Sequence, residues 1–226
     1  ETDHFMNHCL ICRQPLYYPC MMEFSGEMLA AVTAQYYLPR AMLPREILLP
    51  TDSGDCAELS EVLTRRAGHK VWVHVPQRGE RSHLVDMARQ NAREEVERMR
   101  KFGEAIGIAF QIQDDILDYN RQNNTGKPAN NDLREHKITL PLIEVMESKT
   151  EEERKDILEL IKRCDREESA VDALQQIVDE GEGKALAAKT MQAYIQRALH
   201  LLSKYPDTPY RTSLMELCAY IAERDR

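Results

Sequence analysis

Phe110-Gln111-Ile112-Gln113-Asp114-Asp115-Ile116-Leu117-Asp118 is followed by Gly126-Lys127-Pro128, then by Asp132 and Lys137. Asp114, Asp115 and Asp118 stand at i, i+1 and i+4. On a helix the i and i+4 carboxylates stack on one face, with the i+1 group at its edge. Carboxylates that close repel one another unless a cation holds them, and a hard divalent ion with oxygen ligands suits the set. Mg²⁺ keeps several waters and takes one or two carboxylates plus substrate phosphates, so a diphosphate is the natural second partner. Lys127 and Lys137 then offer point charges for that diphosphate.

An acidic triplet of this kind also occurs on ordinary solvated helix faces. Here the surroundings are apolar: Ile106, Ile108, Ala109, Phe110, Ile112, Ile116 and Leu117 are too dense for a freely solvated helix. The spacing predicts a buried helix, and acids embedded in it need a partner.

From about Phe102 to Arg226 the chain resembles the C-terminal half of the trans-isoprenyl (polyprenyl) diphosphate synthases. The likeness runs through Phe102-Gly103-Glu104 and Gly107 to Asp118. It continues in Gly126-Lys127-Pro128-Ala129, Asn131-Asp132-Leu133-Arg134-Glu135 and Lys137-Ile138-Thr139-Leu140-Pro141-Leu142. The resemblance implies an all-helical isoprenoid-synthase fold. The implied chemistry is ionisation of an allylic diphosphate to a carbocation, which the double bond of isopentenyl diphosphate attacks. It also implies that Asp114, Asp115 and Asp118 are the family's second aspartate-rich motif, holding Mg²⁺, with Gln111, Lys127 and Lys137 lining the same pocket. Metal-assisted departure of diphosphate is electrostatic catalysis and needs no covalent nucleophile.

The family carries an earlier aspartate-rich motif on another helix, but no Asp-Asp-x-x-Asp precedes residue 114. Asp52 and Asp55 are the nearest acids, and they sit in a Thr-Asp-Ser-Gly-Asp loop. Arg65-Arg66 has only a faint likeness to the arginine pair that follows the family's first motif. Half of the catalytic apparatus is thus visible, and prenyl transfer is expected to be impaired.

Residues 28–98 read differently. Ile47-Leu48-Leu49-Pro50 and Val71-Trp72-Val73-His74-Val75-Pro76 are short β-rich runs ending at proline. Between them, Leu59, Val62 and Leu63 have helical spacing, and Gly68 is a plausible C-cap. Ser82 is a candidate cap for a helix through Leu84, Val85, Met87, Ala88 and Val96. Two short strands and these helices make a small α/β unit. Tyr36-Tyr37, Leu43-Pro44-Arg45-Glu46-Ile47-Leu48-Leu49-Pro50, Val75-Pro76-Gln77-Arg78-Gly79-Glu80-Arg81 and Leu84-Val85-Asp86-Met87-Ala88 carry a second resemblance. They are similar to the excinuclease C family of nucleotide-excision repair, in the region just ahead of its RNase H-like nuclease domain.

The chain therefore reads as a chimera of two partial proteins, mainly α, meeting near Met99 to Phe102. Its expected parts are an unassigned segment 1–27, the α/β segment 28–98 and the helical segment 99–226. Glu94 to Lys101 is a strong helix former, so one helix is expected to run across the junction. Downstream, Thr150 with Glu153 forms a capping-box pattern, and Ser169 is a candidate cap for the helix that Gly181 and Gly183 end. A long periodic helix from Ala185 to Tyr205 follows, then a last one from Thr212 or Ser213 to about Ile221.

Within the first 25 residues, Cys9-Leu-Ile-Cys12 with His4, His8 and Cys20 forms at most half of a zinc site, because no second pair follows. The alternative is a set of reduced cysteines in an ordinary apolar segment. Glu1 stands where an initiator methionine would, which reads as an internal start.

Composition narrows the classes further. At 226 residues, 42% hydrophobic and 30% charged, the chain is long and apolar enough for a real core. The net charge of −8 disfavours general nucleic-acid binding. Arg78, Arg81, Arg89, Arg93, Arg98 and Arg100 are interleaved with Glu80, Asp86, Glu94, Glu95 and Glu97, which favours a solvated helix face over a DNA track. Six cysteines are too sparse for a disulfide scaffold, and the cytoplasm is the expected compartment. No stretch reaches membrane-spanning length. Three readings follow: a prenyltransferase-type Mg²⁺-diphosphate binder, a binding module of a DNA-repair assembly, and a chimera whose exposed apolar helices pair with a second copy.

Overall fold

The computed structural model describes residues 2–6, 9–14, 26–120 and 129–224, with side-chain placement from residue 28 onward. The chain divides into two compact units, Glu1–Val96 and Glu97–Arg226.

In the first unit, β1 (Thr2–Met6) and β2 (Cys9–Gln14) form an antiparallel pair, with an irregularity between His4 and Phe5. Neither strand is expected from the sequence. His4 and Cys12 are cross-strand partners and Cys9 pairs with Met6; His8 and Cys20 lie outside the described residues. The helix α1 (Gly26–Tyr37) follows.

The expected pair of short strands is present as β3 (Glu46–Leu48) and β4 (Trp72–His74), parallel and in the register Ile47 to Val73. Parallel strands need a crossover, and α2 (Cys56–Ala67) supplies it. Its C-cap is Gly68 in the left-handed region (φ 71°), which a residue without Cβ adopts without strain. Ser60 and Thr64, one turn apart on α2, accept the backbone N–H groups of Val73 and Val71 at 2.9 Å each. The crossover helix thus satisfies one donor on β4 and one just before it. Ala30, Leu43, Ile47, Leu49, Leu59, Leu63, Val71 and Val73 form the core beneath.

The next helix, α3 (Glu80–Asp118), is continuous for 39 residues. It crosses the expected junction without a break, as the helix-forming run Glu94–Lys101 suggests. Its start differs from expectation. Gly79, at φ 78°, offers the first carbonyl (to His83 N–H), so the helix begins at Glu80 and Ser82 lies inside its first turn.

Among the described residues the second unit is all-helical after α3. It comprises α4 (Asn131–Arg134), α5 (Leu140–Glu147), α6 (Glu151–Ile161), α7 (Glu168–Glu180), α8 (Gly183–Leu202) and α9 (Pro209–Glu223). Phe102, Ala105, Ile106, Ala109 and Ile112 of α3 pack with Ala187, Met191, Ile195, Ala198 and Leu202 of α8 and with Cys218 and Ile221 of α9. A second core joins Tyr119, Leu133 and Leu142 to α6 and α7. The capping box forms as expected: Thr150 Oγ1 accepts Glu153 N–H, and the Glu153 carboxylate accepts Thr150 N–H at 2.8 Å.

Three terminus readings are corrected. Glu167, not Ser169, precedes α7. Gly181 caps α7, whereas Gly183 opens α8. The last helix starts at Pro209 because proline fits the first helical position, and Thr208 caps it by accepting Arg211 N–H. No helix among the described residues is long and apolar enough to cross a membrane.

Candidate metal and diphosphate site

The acidic run occupies the last two turns of α3, where Ile112 and Leu117 anchor the helix in the core and leave the acids partly exposed. Each carboxylate is engaged. Asp115 accepts Gln111 Nε2–H at 3.0 Å on one oxygen and Leu140 N–H at 3.3 Å on the other. Leu140 is the first residue of α5, so Asp115 supplies that helix with the side-chain acceptor that its N-cap residue, Thr139, does not provide. Asp118 accepts Asn131 N–H and Asp132 N–H at 3.1 Å each, and so caps α4 from outside. Asp114 pairs with Arg224, which follows α9.

Burial pushes the Asp118 carboxyl above its ordinary value, and the neighbouring Asp132 charge adds to this; the two α4 N–H bonds pull the other way without cancelling it. Lys137 donates to Glu135 at 2.7 Å and to Asp132 at 3.1 Å. The Glu135 bond first, then the Asp132 bond, hold its ammonium above the usual lysine value. Lys137 thereby stands in an acidic group next to Asp118 in the chain of contacts Asp118–Asp132–Lys137. Lys127 lies outside the described residues.

Among the described residues no three His, Cys, Asp or Glu side chains converge tightly enough to hold a metal by themselves. Mg²⁺ does not need such a cage, since one or two carboxylates with water and phosphate suffice. An ionised carboxylate has about four lone-pair positions. Asp115 and Asp118 each use one per oxygen on the bonds above, so acceptor capacity remains. The donor set fits a hydrated magnesium ion shared with a diphosphate.

Sequence reading names Asp132 without giving it a role and misses Arg224 altogether. Asp132 lies 14 positions after Asp118 and carries the lysine that spacing alone assigns directly to the diphosphate. Arg224 is 110 residues from Asp114, and no local pattern points to it.

Comparison with known proteins gives two overlapping matches along the chain. The family model described as Polyprenyl synthetase matches residues 82–180. The one described as UvrC Ribonuclease H-like domain matches residues 5–99. That second match starts earlier than residue 28 and falls on the ribonuclease H-like model itself, not ahead of it. Both include residues 82–99, which lie within α3.

The UvrABC system protein C of Deinococcus radiodurans is 42% identical over 67 residues, covering 30% of this chain and 11% of that protein. The all-trans-nonaprenyl-diphosphate synthase (geranyl-diphosphate specific) of Rhodobacter capsulatus is 30% identical over 217 residues, covering 86% of this chain and 65% of that protein. A solved polyprenyl synthase from Caulobacter crescentus CB15, complexed with calcium and isoprenyl diphosphate, is 28% identical with a TM-score of 0.51, over 57% of this chain and 40% of its own. The chain spans less than two thirds of each of these relatives. It joins a segment similar to the UvrC ribonuclease H-like domain to a helical segment similar to the polyprenyl synthetases.

Proposed function

We propose that residues 99–226 act as a partial polyprenyl diphosphate synthase that binds Mg²⁺ and a prenyl or isopentenyl diphosphate through Asp114, Asp115 and Asp118. Gln111, Lys127 and Lys137 are the proposed diphosphate contacts. The observation that carries this reading is geometric: at the end of α3, Asp115 and Asp118 are each held by the start of a following helix and keep acceptor capacity for a hydrated cation. The calcium and isoprenyl diphosphate bound by the similar Caulobacter synthase support the choice of ligand.

When bound, the metal supplies positive charge to a departing diphosphate. The chain's own residues hold it in place: Asp115 and Asp118 are oriented by the N-termini of α5 and α4, and Gln111 steadies Asp115. Lys137 is held at the rim by Asp132 and Glu135. Prenyl transfer is proposed to be slow, because no second Asp-Asp-x-x-Asp is present in the chain. A reducing, cytoplasmic setting belongs to the same proposal, since Cys56, Cys164 and Cys218 are free thiols.

Calorimetry tests the binding: pyrophosphate uptake should require Mg²⁺ and should disappear in the Asp114→Ala, Asp118→Ala double variant. Uptake that is unchanged in that variant refutes the reading. Labelled isopentenyl diphosphate with an allylic primer tests the transfer, and vigorous elongation would contradict the proposed impairment.

The match of residues 5–99 to a repair-nuclease domain supports a second reading, in which the first unit is a binding module of a nucleotide-excision assembly. Absence of any gel retardation of duplex DNA at low salt would dispose of it.

A further inference from the structure

We infer that Arg224 is a resident counter-cation for Asp114, one that a divalent metal displaces on binding. The inference rests on the metal reading proposed above and adds to it a gate formed by the C-terminal end of α9.

Three side chains on one side of the α3 tail hold this arginine. Its guanidinium lies over the Phe110 ring, 4.2 Å from the centroid. Its Nη2 donates to Asp114 Oδ1, and its backbone carbonyl accepts from Gln113 Nε2. Phe110 and Asp114 are one turn apart and present a ring and a charge to the same cation. The backbone leaves the helix at this point, with Arg224 extended at φ −62° and ψ 124°. The last residue of the described chain is thus strapped onto the first acid of the motif.

The strap is tight yet incomplete. The Arg224 side chain is only 12% exposed, against 43% for Asp114. Its buried Nε–H nevertheless finds no acceptor among the described residues. A buried donor left unpaired is unfavourable, so release into water regains a hydrogen bond and offsets part of the lost ion pair. Asp114 is also one turn from Asp118, so a divalent ion placed between them faces the guanidinium with like charge. Metal and arginine therefore compete for one carboxylate. In the metal-free chain the arginine wins and fixes the end of α9. On metal binding Asp114 turns to the ion and the end of α9 is freed.

The test uses Mg²⁺ alone, without diphosphate, on the full chain and on Arg224→Ala, Arg224→Lys and Asp114→Asn. Metal affinity is read by calorimetry and the freedom of Tyr220 to Arg224 by amide hydrogen exchange. In the unmodified chain Mg²⁺ should speed exchange at the end of α9. Arg224→Ala should bind Mg²⁺ about tenfold more tightly, the scale of one removed like charge near the surface. Its exchange should already be fast and should not respond to metal. Arg224→Lys keeps the charge and should retain an affinity near that of the unmodified chain. Asp114→Asn should speed exchange at the end of α9 with no metal present. Equal or weaker Mg²⁺ binding by Arg224→Ala, in a chain that does bind Mg²⁺, overturns the competition and leaves the metal site standing. Absence of Mg²⁺ binding by every form overturns the metal site and the gate with it. Slow exchange in Asp114→Asn shows that the pair does not hold the strap, whatever the metal does.

Discussion

The Asp118 carboxylate accepts the backbone N–H of Asp132 at 3.1 Å, which binds the start of α4 to the end of α3 and brings a second acidic side chain into the field of the first. The bond and the repulsion act together, and their balance sets a pH dependence. Burial and then the Asp132 charge raise the Asp118 pKa above its ordinary 3.8, so the folded chain takes up this proton more readily than the unfolded one. Ionised Asp118 therefore lowers stability as pH rises from 3.8 through its raised value. Asp118→Asn should flatten that part of a stability-against-pH profile measured by urea unfolding. Asp118→Ala, which loses both acceptors, should cost about 1–2 kcal/mol at neutral pH.

Lys137 should matter to ligand more than to folding. Its side chain is 58% exposed, and ion pairs made by so exposed an ammonium contribute little to stability. Lys137→Ala should leave the urea midpoint nearly unchanged while weakening Mg²⁺-dependent pyrophosphate binding about fivefold to tenfold, as expected for one charge-assisted contact. Equal pyrophosphate affinities for the two proteins would remove this lysine from the site.

Gly183, the first residue of α8, sits hard against α5. A Cβ there would run into the Pro141 carbonyl oxygen and come within 2.9 Å of a Val145 methyl group. Backbone cannot yield as a flexible side chain can, so Gly183→Ala should destabilise the second unit by about 2–3 kcal/mol. Thermal unfolding of the purified variant measures this.

Thr150 offers a control remote from the acidic site. Thr150→Ala removes the reciprocal bonds of the α6 capping box and should cost about 1 kcal/mol. Calorimetric pyrophosphate binding should be unaffected.

Much of the second unit could be read from periodicity. Ile106, Ala109, Ile112 and Leu117 recur at helical spacing and are buried. The α6 capping box announces itself because both of its members are local. Errors gathered where a start signal was ambiguous: Ser82 and Ser169 have the right chemistry for caps, but Gly79 and Glu167 come first and the helices begin there. The α/β crossover was legible from two β-rich runs around a helix, whereas β1 and β2, only five and six residues long, carry too little alternation to stand out. Long-range contacts were beyond reach. Asp115 meets Leu140 across 25 positions and Asp114 meets Arg224 across 110, and helix periodicity says nothing about such pairs.

Two of the three aspartates accept backbone N–H groups at helix starts whose own N-cap side chains make no such bond. A polypeptide that abandoned prenyl chemistry would still be penalised for replacing Asp115 or Asp118, since α5 and α4 would each lose an anchor. Presence of the acidic run is therefore no sign of turnover.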